Sequence, residues 1–239
     1  FIGFVNVFVK LSELIIKDKK EDKKTTYLDE RFIHTPGIAI NQAIKETVLL
    51  GEFAMNTLDL AITKFVEKSI LAEEEIKEKI EIVNREIITF LVKVSSQDVT
   101  IEDEKTISAL HHSLNDFIRE AEIADNMVKY TRSVINNNIE FSDSVYESIK
   151  KLQGMLKEQF ANIKKIMLYS DYSLIGKVKD LEDEIDHMRS TLINGHIKRL
   201  EEGKCKPQSS GIFINLISNL ERAGDHLDYI ADTMVNSLK

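Results

Sequence analysis

Residues that break helices are scarce in this 239-residue chain, which has 2 prolines and 9 glycines. Tryptophan is absent and aromatic residues make up only 7%, which leaves a β-sandwich or barrel with little support. An excess of positive charge is also missing. The net charge is −8, from 40 acidic against 32 basic residues, so no basic face is at hand to replace phosphate counterions, and nucleic acid is excluded as a partner. The single cysteine, Cys205, cannot form an intramolecular disulfide. It fits a reducing compartment and reads as a bystander in a Lys/Gly-rich turn.

Apolar runs of membrane length are lacking as well. The most apolar stretch, Phe1 to Ile16 (FIGFVNVFVKLSELII), is shorter than the ~18–20 residues a span needs, and Asn6, Lys10 and Glu13 interrupt it. It has neither a basic start nor a small-residue cleavage site, so it does not read as a signal peptide. Two readings stay open: the severed cytoplasmic end of a transmembrane helix, or an amphipathic helix of a soluble protein. The Lys-rich KDKKEDKK that follows (Lys17 to Lys24) suits the cytoplasmic side of a membrane and equally an ordinary solvated linker. Because the first residue is Phe rather than Met, the chain is expected to be a fragment or a processed product.

What the chain has in quantity is Glu, Lys, Leu and Ile, with 30% charged residues: the composition of long helices. The expected class is all-α. Thr35-Pro36 reads as an N-cap followed by proline in the first turn, opening a helix to about Ile70. Ile40, Ala43, Ile44, Thr47, Leu50, Ala54, Leu58 and Ala61 hold its 3–4 spacing. A second helix is expected over Ala72 to Val94, with Ile76, Ile80, Val83, Ile87 and Leu91 inward; a third is capped by Thr100 and runs to Asn136. The run Asn136 to Asn138 marks the internal boundary, because asparagine favours turns. Three more helices are expected over Phe141 to Tyr169, Ser173 to Glu202 and Gly211 to Leu238, with Gly203 ending the fifth and Pro207 separating it from the sixth.

The two halves share one rhythm. AEIADNMVKYTRSV (from Ala121) aligns without gaps to ERAGDHLDYIADTM (from Glu221), matching Asp125 to Asp225 and Ala124 to Gly224. The second and fifth helices place Asn84 opposite Asp186 and Ile80 opposite Glu182. Duplication at this scale predicts two three-helix bundles in tandem, over 35–136 and 137–239, preceded by the apolar segment 1–16 and a charged linker 17–34.

Two acidic pairs at i,i+4 stand out, Glu182 with Asp186 and Glu221 with Asp225. Each pair projects from one helix face beside the apolar stripe, after Leu181/Ile185 and Leu220/Gly224. If the two helices pack antiparallel, four carboxylates converge and repel unless cations neutralise them. Iron, manganese, magnesium and calcium all accept oxygen ligation. With 40 acidic residues, roughly seven such pairs arise by chance on solvated faces, so spacing alone does not make a site. The setting ERAGDH adds weight, because Gly224 in mid-helix costs about 1 kcal/mol relative to Ala and close helix approach would explain it. His226 is weighed both as a further ligand and as a residue off that face. His111-His112 has no evident acidic partner and is expected at the surface. No nucleophile-and-base set and no Gly-rich phosphate loop is found, so the expectation is a protein that is not an enzyme.

NLERAGDHLDYIADTM (Asn219 to Met234) resembles the signature helix of the PhoU family, and LEDEIDHM (Leu181 to Met188) resembles that family's other E-x-x-x-D helix. LDERFIHTPGIAINQAIKETVLLGEFAMNTL (Leu28 to Leu58) is similar to the join between membrane and PhoU-like parts of bacterial Na+/phosphate cotransporters. The resemblance implies tandem three-helix bundles holding a multinuclear metal cluster on E-x-x-x-D motifs. It assigns Glu182, Asp186, Glu221 and Asp225 as ligands in the second repeat, with Asp125 and His226 as additional or residual first-repeat candidates. The first repeat departs from the motif: Ala121 stands where Glu is expected, Asn84 replaces Asp and Ile80 replaces Glu. Glu81, Glu120 and Glu122 lie about 100° per residue off the motif face. The resemblance also implies a regulatory role in sodium-dependent phosphate transport at the cytoplasmic face of the cell membrane. The partners would be the membrane portion of the same polypeptide, inorganic phosphate and, in a homo-oligomer, a second copy. A free-standing phosphate-signalling regulator and a helical scaffold without metal are the rival readings.

Overall fold

The structure is a computed structural model, described here for residues 25–70, 76–203 and 207–237. The expected apolar segment 1–16, most of the charged linker and Cys205 lie outside the described residues. Among those residues the fold is six helices with no strand: α1 (Pro36–Val66), α2 (Ile76–Ser95), α3 (Ile101–Asn136), α4 (Asp143–Tyr169), α5 (Ile175–Glu201) and α6 (Pro207–Ser237). None is long and apolar enough to cross a membrane.

Local chemistry sets the ends. Thr100 accepts from the Asp103 backbone N–H while the Asp103 carboxylate accepts from the Thr100 N–H, a reciprocal box that starts α3. The asparagine run ends α3 with Asn138 in the left-handed region (φ 48°), where the Ile139 N–H returns to the Val134 carbonyl. Gly203 does the same after α5, at φ 69°. Two expected boundaries move. The first helix stops at Val66 rather than Ile70, because Lys68 turns left-handed (φ 53°) and the Ser69 N–H bonds back to Lys64. The last begins at Pro207 rather than Gly211: proline is tolerated in a first helical turn, so it opens this helix instead of separating it from its predecessor.

Within each half the three helices contact one another, and the halves meet along two seams, α1 against α4 and α3 against α6. The buried residues form one continuous core across both halves. At the seam between halves, the Phe117 ring of α3 sits edge-on to Phe160 of α4, 5.8 Å between centroids. Phe117 also fills the space over Gly51, where an added Cβ would lie 2.5 Å from its Cζ. Along 121–134 and 221–234 the burial classes agree at every position except 121/221 and 130/230, so α3 and α6 present the same face.

The described end of the charged linker is anchored rather than free. Buried Glu46 accepts from the backbone N–H groups of Thr26 and Tyr27, at 2.9 and 2.6 Å. Gln42 accepts from the Asp29 N–H, Lys93 pairs with Glu30, and His34 bonds Gln97.

Candidate functional site

Helices α5 and α6 run antiparallel, as the order of their cross-pairs shows. Lys179 pairs with Asp232 at 2.9 Å, Glu182 hydrogen-bonds Asp225, and Arg189 approaches Glu221 at 3.6 Å, so one sequence number rises as the other falls. Gly224 packs against Ile185 of α5. A Cβ there would lie 3.1 Å from Ile185 Cδ1, and the Gln159 amide of α4 donates to the Gly224 carbonyl at 3.1 Å. The mid-helix glycine thus has a packing reason.

This register brings the four expected carboxylates into one patch, but as two neighbouring sets. In one, Glu182 is pushed up to about 7, chiefly by desolvation, then by the charge of Asp225 and the hydrogen bond they share, then by Asp228 and Asp183. Asp228 is raised too, by desolvation and by Asp232, against the opposing pull of Lys179, and its Oδ1 is buried with no hydrogen-bond partner among the described residues. In the other set Arg189 stands between carboxylates, its Nη1 3.9 Å from Asp186 and its Nε 3.6 Å from Glu221. Glu221 is raised by desolvation and by Asp225, with Arg189 acting against the rise. Among the described residues no three His, Cys, Asp or Glu side chains are gathered as a ready metal-binding group. The physical reason is local: an arginine supplies the counter-charge in one set, and a shared hydrogen bond draws two carboxyl groups onto each other in the other.

The donor chemistry nevertheless suits a hard or borderline cation. Oxygen donors from two helices face one another, one has its pKa pushed up to about 7 by desolvation and then by acidic neighbours, and one buried oxygen is unpartnered. Asp228 and Arg189 were missed in the sequence, although Asp228 lies three residues beyond Asp225 in the same motif and is therefore on the same face.

The two additional candidates go elsewhere. Asp125 is exposed and ion-paired to Lys129 at 2.7 Å, one turn along α3. His226 points across the seam, its Nδ1 2.9 Å from Glu120 Oε1. Neither joins the four carboxylates, because an adjacent residue is rotated about 100° around the helix and α3 faces α6 on that side. The histidine pair also needs correction. His112 is exposed as expected, yet it has an acidic partner one turn on, Asp116, whose carboxyl feels its charge. His111 is half-buried, and burial lowers its pKa.

A family model described as the PhoU domain matches residues 149–234. The stretch covers α5 and most of α4 and α6, including Glu182, Asp186, Glu221 and Asp225, and supports a PhoU-like domain there. No curated protein matches the chain.

Proposed function

We propose that the chain is a non-catalytic, phosphate-linked regulatory module that binds a cation on its second three-helix unit through Glu182, Asp186, Glu221 and Asp225. The observation that carries this reading is the meeting of acidic faces from α5 and α6, with Glu182 held up near 7 by desolvation and Asp225. Carboxylates packed this way are uncomfortable when all are ionised, and a cation is what relieves them. A bound metal ion would supply the positive charge that neutralises these groups and can attract phosphate oxygens. To hold the ion, Glu182 would give up its share of the hydrogen bond with Asp225, and Arg189 would withdraw from Asp186 and Glu221. Iron, manganese, magnesium and calcium are the candidate ions, since all four accept oxygen donors.

The wider setting rests on LDERFIHTPGIA, from Leu28, and on the resemblance it carries. In this reading the module belongs to a sodium-dependent inorganic phosphate transporter and lies at the cytoplasmic face of the cell membrane. It docks the membrane portion of the same polypeptide and biases its conformations. The anchored segment 25–34 would transmit that bias into α1.

Calorimetric titration of chelator-treated protein with Mn2+, in wild type and Glu182→Gln/Asp225→Asn, tests the metal reading. Saturable binding lost in the double variant is expected; no binding by wild type, or equal binding by the variant, overturns it. Repeating the titration of metal-loaded protein with inorganic phosphate tests the phosphate link, which fails if no heat is seen.

A further inference from the structure

The seam between the two units holds a second polar constellation, which borders the carboxylates of α5 and α6 at Asp225. Asp116 and Glu120 lie one turn apart on the same side of α3, and both are buried, with 4% and 0% exposure. Each keeps one buried oxygen, Asp116 Oδ2 and Glu120 Oε2, with no hydrogen-bond partner among the described residues. Two such carboxyl groups in a helix interface are unusual, because a buried carboxyl oxygen left unmatched costs free energy that water would have supplied. Arg119 gives Asp116 only partial relief: its Nη1 is 3.5 Å from Asp116 Oδ1, and its side chain is 59% exposed.

An open cleft of about 510 Å³ adjoins these groups, lined by His112, Asn115, Asp116 and Arg119 of α3 and by Asp225, His226 and Tyr229 of α6. His112 and Asp116 are four residues apart, so both fall on the cleft side of α3. Across the cleft, His226 is tied at Nδ1 to Glu120 Oε1, 2.9 Å away. Burial and Asp116 push the Glu120 carboxyl well above the usual range, so it takes the carboxylate role only with a cation beside it; with Nδ1 then donating to Glu120, Nε2 is left as a lone-pair donor, the usual way a metal-ligating histidine is oriented.

From this arrangement we propose a transition-metal dication site at the seam, with His112, Asp116 and His226 as ligands and Glu120 as the carboxylate that orients His226. Two imidazoles and one carboxylate favour zinc, cobalt or nickel over calcium or magnesium. The ligands come from both units, so occupancy clamps α3 to α6. The three side chains are not gathered as a ready metal-binding group, so closing the site asks Asp116 to leave Arg119 and His112 to turn from the Tyr229 ring, 6.0 Å away. His112, Arg119 and Tyr229 are all exposed, and the cleft leaves room for the rearrangement.

Visible absorption during Co2+ titration reads this site directly, because nitrogen ligation in a low-coordinate site gives intense d–d bands that all-carboxylate, six-coordinate sites lack. The expected result is one equivalent of Co2+ producing such bands in wild type and equally in Glu182→Gln/Glu221→Gln, which alters only the α5/α6 carboxylates. His112→Ala changes an exposed residue and is expected to fold; with His226→Gln, it should weaken Co2+ binding at least about tenfold, and Glu120→Gln by about ten- to a hundredfold. Zn2+-induced shifts of the His112 and His226 ring nitrogens by NMR provide a second readout. Absence of the bands in the Glu182→Gln/Glu221→Gln protein, or bands indifferent to His112→Ala, overturns the seam site. Either result leaves the Mn2+ test of the α5/α6 carboxylates to stand or fall by itself.

Discussion

Helices α3 and α6 present equivalent faces in the same register over 121–134 and 221–234, yet along that stretch α6 carries a charge problem that α3 does not. In the first unit Asp125 is neutralised by Lys129, while the positions matching Glu221, Asp186 and Glu182 hold Ala121, Asn84 and Ile80. In the second unit all four positions are acidic, and Asp228 adds a fifth carboxyl. Shared architecture therefore does not imply shared chemistry. A helix face can keep its packing stripe while its flanking positions turn from ligand-like to apolar, because the stripe alone sustains the fold.

The largest expected effect comes from forcing the second unit's chemistry onto the first. Ile80 is buried at 1% exposure, whereas its counterpart Glu182 reaches solvent, so Ile80→Glu should destabilise the protein by about 3 kcal/mol or more in urea unfolding. A loss under about 1 kcal/mol would mean that position 80 is as open as position 182.

The glycine exchange is next. Ala124→Gly should cost about 1 kcal/mol through helix propensity. Gly224→Ala should change stability by less than that, since the propensity gain is offset by displacing Ile185 from 3.1 Å. Equal and opposite effects at the two sites would show that the α5–α6 approach does not need the glycine.

Replacing the equivalent aspartates should give opposite signs. In chelator-treated protein, Asp225→Asn relieves repulsion and raises stability by up to about 1 kcal/mol. Asp125→Asn breaks an exposed pair and lowers it by no more than about 0.5 kcal/mol. Thermal melts of the two variants check this, and the same sign for both would sink the contrast.

The pH response is the subtlest. Glu182 has a folded-state pKa of about 7 against an ordinary 4.5, so its contribution to stability is fully present below about 4.5 and is lost as pH rises through about 7. Metal-free wild type should therefore lose more stability between pH 5 and pH 8 than Glu182→Gln does. Indistinguishable melting profiles would show that Glu182 is solvated like an ordinary surface carboxyl.

Much of this comparison was legible in the chain itself. The gapless match of 121–134 to 221–234, the proline at position 36 and the Thr100 cap give helices and register, because they depend on neighbours within one turn. The acidic pairs on α5 and α6 were legible for the same reason. Their counter-charges were not. Whether Arg189 reaches Glu221, or His226 reaches Glu120, depends on which helices face each other and at what offset. The Asp116–Glu120 spacing stood in plain view as one more acidic pair. Only its complete burial against α6 separates it from the solvated pairs that chance supplies.

Periodicity and capping residues by themselves determined an all-α chain, and the gapless match of 121–134 to 221–234 put acidic residues at both 221 and 225 but, of their counterparts, only at 125. The tertiary structure alone decided how that motif is divided, between a set balanced by Arg189 and a set that shares a hydrogen bond, and that a second polar cluster lies at the seam. The division of labour is physical. Helix formation is governed by interactions within four residues, whereas the charge balance of a site is set by burial and by partners from distant segments, which local spacing does not encode.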